Sequence, residues 1–223
     1  MAPSVTILQL DTNFPRVPGD VACPHTYCGE VQIIRIPRAS VGAIVTNHPD
    51  QIDISPFEAA LAAARGEVVV TSCGFLSFWQ DHLAAQTDRP FVSSALTALD
   101  GLSRQYAPGE VLILTFDAAS LTPAHLGAHG AYATGIIGLP DNMHLKQVIA
   151  KDLTALDTEI ASQELAELMP QVIEPQHKHL LLECTNLPPY KSALSAVTGL
   201  PVTDILTQIE IARPGTIKPE FLS

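Results

Sequence analysis

The sequence predicts an α/β protein of two pseudo-symmetric lobes, each a mostly parallel sheet flanked by helices. Three observations predict it. Short apolar runs rich in β-branched residues alternate with stretches of helical spacing, the pattern of βαβ units. Those runs carry no polar break, as strands buried on both faces require. The layout also occurs twice: runs ending in Leu10-Asp11-Thr12 and at Cys73-Gly74 are followed by runs ending in Phe116-Asp117-Ala118 and at Cys184-Thr185. The Asp-to-Cys interval is 62 residues in the first half and 67 in the second.

Each element follows from local signals. Residues 4–10 (SVTILQL) form the first expected strand. Residues 56–65 (PFEAALAAAR) predict a helix, with Pro56 in its first turn and Gly66 as its stop. Residues 67–72 (EVVVTS) are a buried strand leading to Cys73, with a helix expected over 74–85. Residues 111–116 (VLILTF) and 180–182 repeat the strand character. Between them, 154–169 has helical spacing and is expected to end before Pro170. A helix over 187–197 should follow Cys184, with Asn186 as its cap and Pro188 near its start. Residues 203–212 read as a helix that returns to the first lobe. The expected lobes are 1–98 plus 205–223, carrying Cys73, and 99–204, carrying Cys184. The glycine-rich stretch 127–138 lacks GxGxxG spacing after a strand and reads as a loop and strand of the second lobe.

Composition narrows the function. A chain of 223 residues, 47% hydrophobic, can bury a substantial core. Twelve basic residues against 23 acidic ones give a net charge of -11, which argues against a nucleic-acid partner. The same charge means that an anionic substrate needs local donors. No apolar run reaches the roughly 18 residues of a membrane span, and the N-terminus has no signal-peptide pattern, so no membrane and a cytoplasmic location are expected. The four cysteines, at 23, 28, 73 and 184, are therefore expected as thiols. Cys23 and Cys28 lack a second Cys/His pair, and the His125/His129 and His177/His179 pairs lack an acidic ligand, so no metal is expected. The absence of GxSxG and phosphate-loop motifs argues against serine hydrolases and phosphoryl transfer.

Cys73 and Cys184 remain as the chemical candidates. Each ends a strand and precedes a helix, where ligands of parallel sheets bind. Free N–H groups at a helix start lower a thiol's pKa from about 8.5 and can also hold a carboxylate. Two thiols suit inversion of a carbon centre, which needs a base on one face and an acid on the other. Side-chain alternation directs Glu183 away from Cys184 and leaves Thr185 and Asn186 as its neighbours. Donors from these two would make Cys184 the more acidic thiol.

The TSCGF segment around Cys73, the ECTNLPPY segment around Cys184, their spacing of 111 residues and the opening LDTNFPRVPGD resemble the aspartate/glutamate/hydantoin racemase superfamily. The resemblance implies a cleft between two lobes, one cysteine from each facing it, and no cofactor. It implies a small carboxylate-bearing substrate held by backbone N–H and Ser/Thr groups. Ser72, Gly74 and Phe75 then flank one cysteine, and Thr185 and Asn186 the other. Asp11 and Thr12 match the superfamily's first-strand Asp-Ser or Asp-Thr element, with Thr115, Asp117 and Ser120 as second-lobe equivalents. Arg16 is the nearest cation in sequence to that element.

Glutamate racemases carry Asn-Thr after the first cysteine and His after the second Cys-Thr; Gly74-Phe75 and Asn186 stand there instead, pointing away from glutamate. Phe75, Phe78 and Trp79 are available to line a less polar pocket, although residues at this helical spacing are more often core. The activity so implied is an isomerase: a pyridoxal-phosphate-independent racemase or epimerase of an amino acid or related carboxylated carbon acid. Maleate-isomerase-like or decarboxylase chemistry, or carboxylate binding without turnover, are the alternatives, and a homodimer or larger homo-oligomer is compatible with each.

Overall fold

The computed structural model describes residues 3–223. Strands β1 (Val5–Gln9), β2 (Val31–Arg35), β3 (Val68–Thr71) and β4 (Phe91–Val92) form one sheet in the order β2-β1-β3-β4. Strands β5 (Val111–Thr115), β6 (Ile136–Gly138), β7 (His179–Leu182) and β8 (Val202–Thr203) form a second in the equivalent order β6-β5-β7-β8. Every pairing is parallel. The duplication read from the sequence is thus a repeated topology, and the α/β class is as expected.

Both sheets place their first and third strands at the centre. All four residues of β3 and of β7 are buried, which explains their unbroken apolar character. Leu8 pairs with Thr71, and Leu114 pairs with Leu182, so the central strands of each sheet end level with one another. The chain leaving β1 therefore lies beside Ser72 and Cys73, and the chain leaving β5 lies beside Glu183 and Cys184.

Helix Ser55–Ala63 begins one residue before Pro56 and ends ahead of Gly66. The expected 74–85 helix is a 3-10 turn, Gly74–Trp79, continued by the short α-helix Gln80–Ala84. Beyond Cys184 the 3-10 turn Pro188–Tyr190 leads into helix Lys191–Thr198. Helix Thr158–Val172 starts later than expected because Asp157 caps it, accepting from the backbone N–H groups of Glu159 and Ile160. It also runs past Pro170, which sits in its final turn, where only one intrahelical bond is lost.

Helix Ile205–Ala212, capped by Asp204, buries Ile205, Leu206 and Ile209 in the core formed around β1 and β3. That core also takes in Val111, Ile113 and Leu181 from the second sheet, so apolar packing joins the two halves. Among the described residues no helix is long and apolar enough to cross a membrane.

Candidate active site

The loops after the central strands of both sheets converge on one partly open cavity. Its walls are Leu10, Phe14, Arg16, Val41, Val45, Ser72, Cys73, Gly74, Phe75, Phe116, Ile149, Glu183, Cys184, Thr185 and Asn186. Its empty volume, counting the space that opens to solvent, is about 360 Å³. Both cysteines line it, one from each half, and each is 7% exposed.

Two contacts join the halves beneath the cavity: Thr185 on Ser72, and Glu183 on Gly74. Ser72 Oγ accepts from the Leu10 N–H at 3.0 Å, while its carbonyl accepts from Thr185 Oγ1 at 2.8 Å. The second contact explains a glycine. A Cβ at position 74 would overlap Glu183 Oε1 and lie 2.6 Å from the Glu183 carbonyl oxygen. Gly74 is present because the other half packs against its Cα.

Glu183 does not point away from the site. β7 ends at Leu182, so strand alternation no longer governs the next two residues, and both Glu183 and Cys184 reach the cavity. Glu183 is wholly buried; its Oε2 accepts from Thr115 Oγ1 at 2.5 Å and its Oε1 has no partner. Burial pushes its pKa up to about 7, against the lowering effect of the Thr115 hydroxyl.

The thiols are correspondingly weak acids. Burial, reinforced by the Glu183 charge, raises Cys73 to about 12, with the Phe75 N–H and Arg16 opposing. Cys184 is raised by burial first and then by Glu183, with the Asn186 backbone N–H opposing. The free N–H groups expected beyond each cysteine are there, but desolvation outweighs them.

The reading that side-chain donors make Cys184 the more acidic thiol fails for a specific reason. Thr185 donates to Ser72 instead, and the Asn186 amide nitrogen donates to Asp20 Oδ2 at 2.5 Å. Asn186 consequently offers Cys184 its oxygen, with Sγ to Oδ1 at 3.7 Å, an arrangement that favours the protonated thiol. Asn186 serves this network and does not cap the following helix.

Arg16 is buried. Its guanidinium reaches Asp20 Oδ1 at 3.3 Å and Thr12 Oγ1 at 3.1 Å, and lies 4.2 Å from the centroid of the Phe14 ring. Its Nε, also buried, has no partner. Asp20 further accepts from the Ala22 N–H at 2.7 Å, yet burial still raises its pKa over the opposing effects of Arg16 and its hydrogen bonds. Thr12 therefore positions Arg16 from behind the cavity wall.

The other sequence candidates fall elsewhere. Asp11 faces outward, holding Arg35 at 2.5 Å and the Arg38 N–H at 3.1 Å. Asp117 accepts from Ser120 Oγ at 2.7 Å, and neither lines the cavity. Thr115 reaches the site only through Glu183. Phe75 is in the wall, whereas Phe78 is exposed and Trp79 donates its Nε1 proton to the Pro49 carbonyl. Cys23 is buried away from the cavity and Cys28 is exposed.

The sequence reading missed Glu183 and most of the apolar wall. Leu10 and Phe116 immediately precede the two strand-end aspartates, which made them recognisable as counterparts. Phe14 is fixed by a contact across the halves: Asp152 accepts from the N–H groups of Asn13 at 2.6 Å and Phe14 at 3.0 Å, and from Asn13 Nδ2 at 2.8 Å.

No family model matches the sequence. A dimethylsulfoniopropionate lyase from Durusdinium sp. clade D is 28% identical over 239 aligned positions, covering 98% of this chain and 77% of the relative. Dimethylsulfoniopropionate lyase 7 of Emiliania huxleyi (strain CCMP1516) is 28% identical over 221 positions, covering 92% of this chain but 64% of the relative. Among solved structures, allantoin racemase from Pseudomonas fluorescens superposes with a TM-score of 0.60 at 12% identity, covering 98% of this chain and 96% of the other. Glutamate racemase from Francisella tularensis subsp. tularensis SCHU S4 gives 0.53 at 12% identity, covering 93% and 77%. Arylmalonate decarboxylase gives 0.55 at 16% identity, covering 97% and 96%. The chain thus has the fold of the aspartate/glutamate/hydantoin racemase superfamily, while the curated relatives named here are lyases.

Proposed function

Starting from a racemase-type fold whose sequence relatives are lyases, we propose that this protein is an enzyme that removes the α-proton of a small carboxylate with a cysteine thiolate and expels a group from the β-carbon. Dimethylsulfoniopropionate is the substrate to test first. The observation that carries this reading is one small, largely apolar cavity lined by two thiols and by an arginine whose buried Nε–H is unpaired.

The steps balance as follows. The substrate carboxylate accepts from Arg16 Nε, an otherwise unpaired donor. A thiolate at Cys73 or Cys184 takes the proton from C2. The C–H electron pair becomes the C2–C3 π bond as the C3–S bond breaks. Sulfur leaves with that bond's electrons as neutral dimethyl sulfide, and acrylate remains. The cavity's apolar walls limit solvent around the base, and a proton acceptor positioned at the reacting carbon is worth about 10²–10⁴ in rate. Burial and Glu183 keep the thiols protonated in the free protein; a cationic substrate centre works in the opposite direction and favours the thiolate.

A second reading is supported by the presence of two thiols, since elimination needs one base and racemisation needs a base and an acid. In it, one thiolate takes the α-proton of an amino acid or related carbon acid and the other thiol returns a proton to the opposite face.

Product analysis in deuterium oxide separates the two. Acrylate and dimethyl sulfide released in equal amounts support elimination; α-deuterium incorporation with loss of optical activity from an amino acid, and no alkene, supports racemisation. Cys73→Ser or Cys184→Ser should lower turnover by about a hundredfold or more. Full activity in both single variants would remove the thiols from the mechanism.

A further inference from the structure

We propose that the cavity receives a small zwitterion and that Glu183 recognises its positive end. The proposal rests on the reading that this cavity is the substrate site, and it names the class of molecule that the site takes.

Glu183 is wholly buried and lines the cavity, with one carboxylate oxygen bonded to Thr115 and the other without a partner. Leaving a buried acceptor unsatisfied is costly, and a buried carboxylate without a cation more so. Accommodating it also requires a glycine at position 74. Among the described residues no cation serves it. Arg16 is engaged by Asp20, Thr12 and the Phe14 ring. Lys146 is held by the Phe116 carbonyl at 2.5 Å and lies 4.0 Å from the Phe116 ring centroid. Among the described residues Glu183 forms no ion pair.

The cavity wall holds one other buried polar side-chain atom without a partner, and it has the opposite character: Arg16 Nε, a donor. One half of the molecule therefore supplies an open donor and the other half an open acceptor, with Phe14, Phe75, Phe116, Val41, Val45 and Ile149 among the apolar walls. A ligand with a carboxylate and a cationic group satisfies both. A dicarboxylate would set its second anion against Glu183, and a simple fatty acid would leave Glu183 unpaired. The chain's net charge of -11 opposes free anions more than zwitterions. Sulfonium and ammonium centres share the required chemistry.

Two pairs of near-isosteres distinguish them: dimethylsulfoniopropionate against 4-methylpentanoate, and β-alanine against butanoate. Binding is measured by calorimetry at pH 8 on the Cys73→Ser/Cys184→Ser protein, in which turnover is silenced. In at least one pair the zwitterion should bind about tenfold tighter or more, and the pair that does so identifies the cation. Adding Glu183→Gln, which keeps an acceptor for Thr115, should bring that ratio to within about twofold while the simple anion binds as before. The proposal is overturned if neither zwitterion binds, if the anions bind as well in both pairs, or if Glu183→Gln keeps the preference. Should the Gln variant not fold, the comparison without it decides. Zwitterion binding through Glu183 with no acrylate formed by the wild-type protein would sink the elimination reading alone. Acrylate formation with a preference indifferent to Glu183 would sink this inference alone.

Discussion

Replacing Asp20 by Asn should make Cys184 a stronger acid, although residue 20 never touches the thiol. In the native protein Asp20 Oδ2 accepts from Asn186 Nδ2 at 2.5 Å, and this fixes Asn186 with its oxygen toward Cys184 Sγ at 3.7 Å. An Asn at position 20 can keep its oxygen toward the Ala22 N–H, now accepted at 2.7 Å, and would then present an amide nitrogen to Asn186. Two donors cannot face each other, so the Asn186 amide turns over and its nitrogen faces sulfur. An acceptor that stabilised the thiol becomes a donor that stabilises the thiolate. The nearby Asp20 charge, which also raises Cys184, disappears in the same step.

Exchanging one hydrogen bond to a charged group is worth about 1.5–3 kcal/mol, or roughly one to two pH units. Alkylation by iodoacetamide follows the thiolate fraction, so its rate at Cys184 should rise about ten- to a hundredfold at fixed pH. Peptide mapping by mass spectrometry reads that rate, with Cys73 as the internal reference. The same variant leaves Arg16 without its carboxylate and should lose about 3–5 kcal/mol of stability, so measurements belong well below its melting temperature. An unchanged or slower reaction at Cys184, in a protein with native circular dichroism, would refute the chain of reasoning from Asp20 through Asn186.

Two further perturbations follow. Gly74→Ala should destabilise the protein by about 1–3 kcal/mol in urea unfolding, and Glu183→Ala should rescue it only in part, because the Glu183 carbonyl oxygen remains 2.6 Å from the new Cβ; full rescue would show that the backbone contact is unimportant. Glu183, raised from 4.5 to about 7, binds its proton more tightly in the folded state, so its contribution to stability is complete below about pH 4.5 and is lost as pH rises to about 7, by up to about 3 kcal/mol. Glu183→Gln should flatten that decline relative to wild type, and parallel curves for the two proteins would contradict the buried, unpaired carboxylate.

The repeated architecture and the paired cysteines were legible because each rests on a strong local signal: an unbroken apolar strand with a thiol at its end. Helix boundaries were less so. Asp157 and Pro170 shifted one helix by several residues, since a cap sets the start while a proline in the last turn loses little. β2 escaped notice because it is an edge strand, half exposed, and VQIIR lacks the continuous apolar character of the centre.

Polar partners at the site depended on contacts that no local spacing encodes. Asp11 and Asp117 match as a pair in sequence, yet both turn to surface neighbours. Asp20, four residues after Arg16 in a proline-rich loop, becomes the hub of a buried network through Asn186, 166 residues away. Glu183 escapes period-two alternation because β7 ends at Leu182, and its partner Thr115 lies on a different strand.

The two ends of the inter-lobe seam differ in how readily they come apart. At the floor, the Thr185 to Ser72 bond is buried and Glu183 is seated on Gly74. On the solvent side of Phe14, the halves are held by Asp152, a residue with φ of 51°, whose bonds to Asn13 are exposed to water. Exposed bonds of this kind exchange with water at little net cost, whereas parting the floor would strand a buried carbonyl. The exposed end of the seam, at Asn13 and Asp152, therefore costs less to open than the buried floor. Substitution at Asn13 or Asp152, neither of which lines the cavity, should loosen the seam at that end while leaving the contacts of its floor in place.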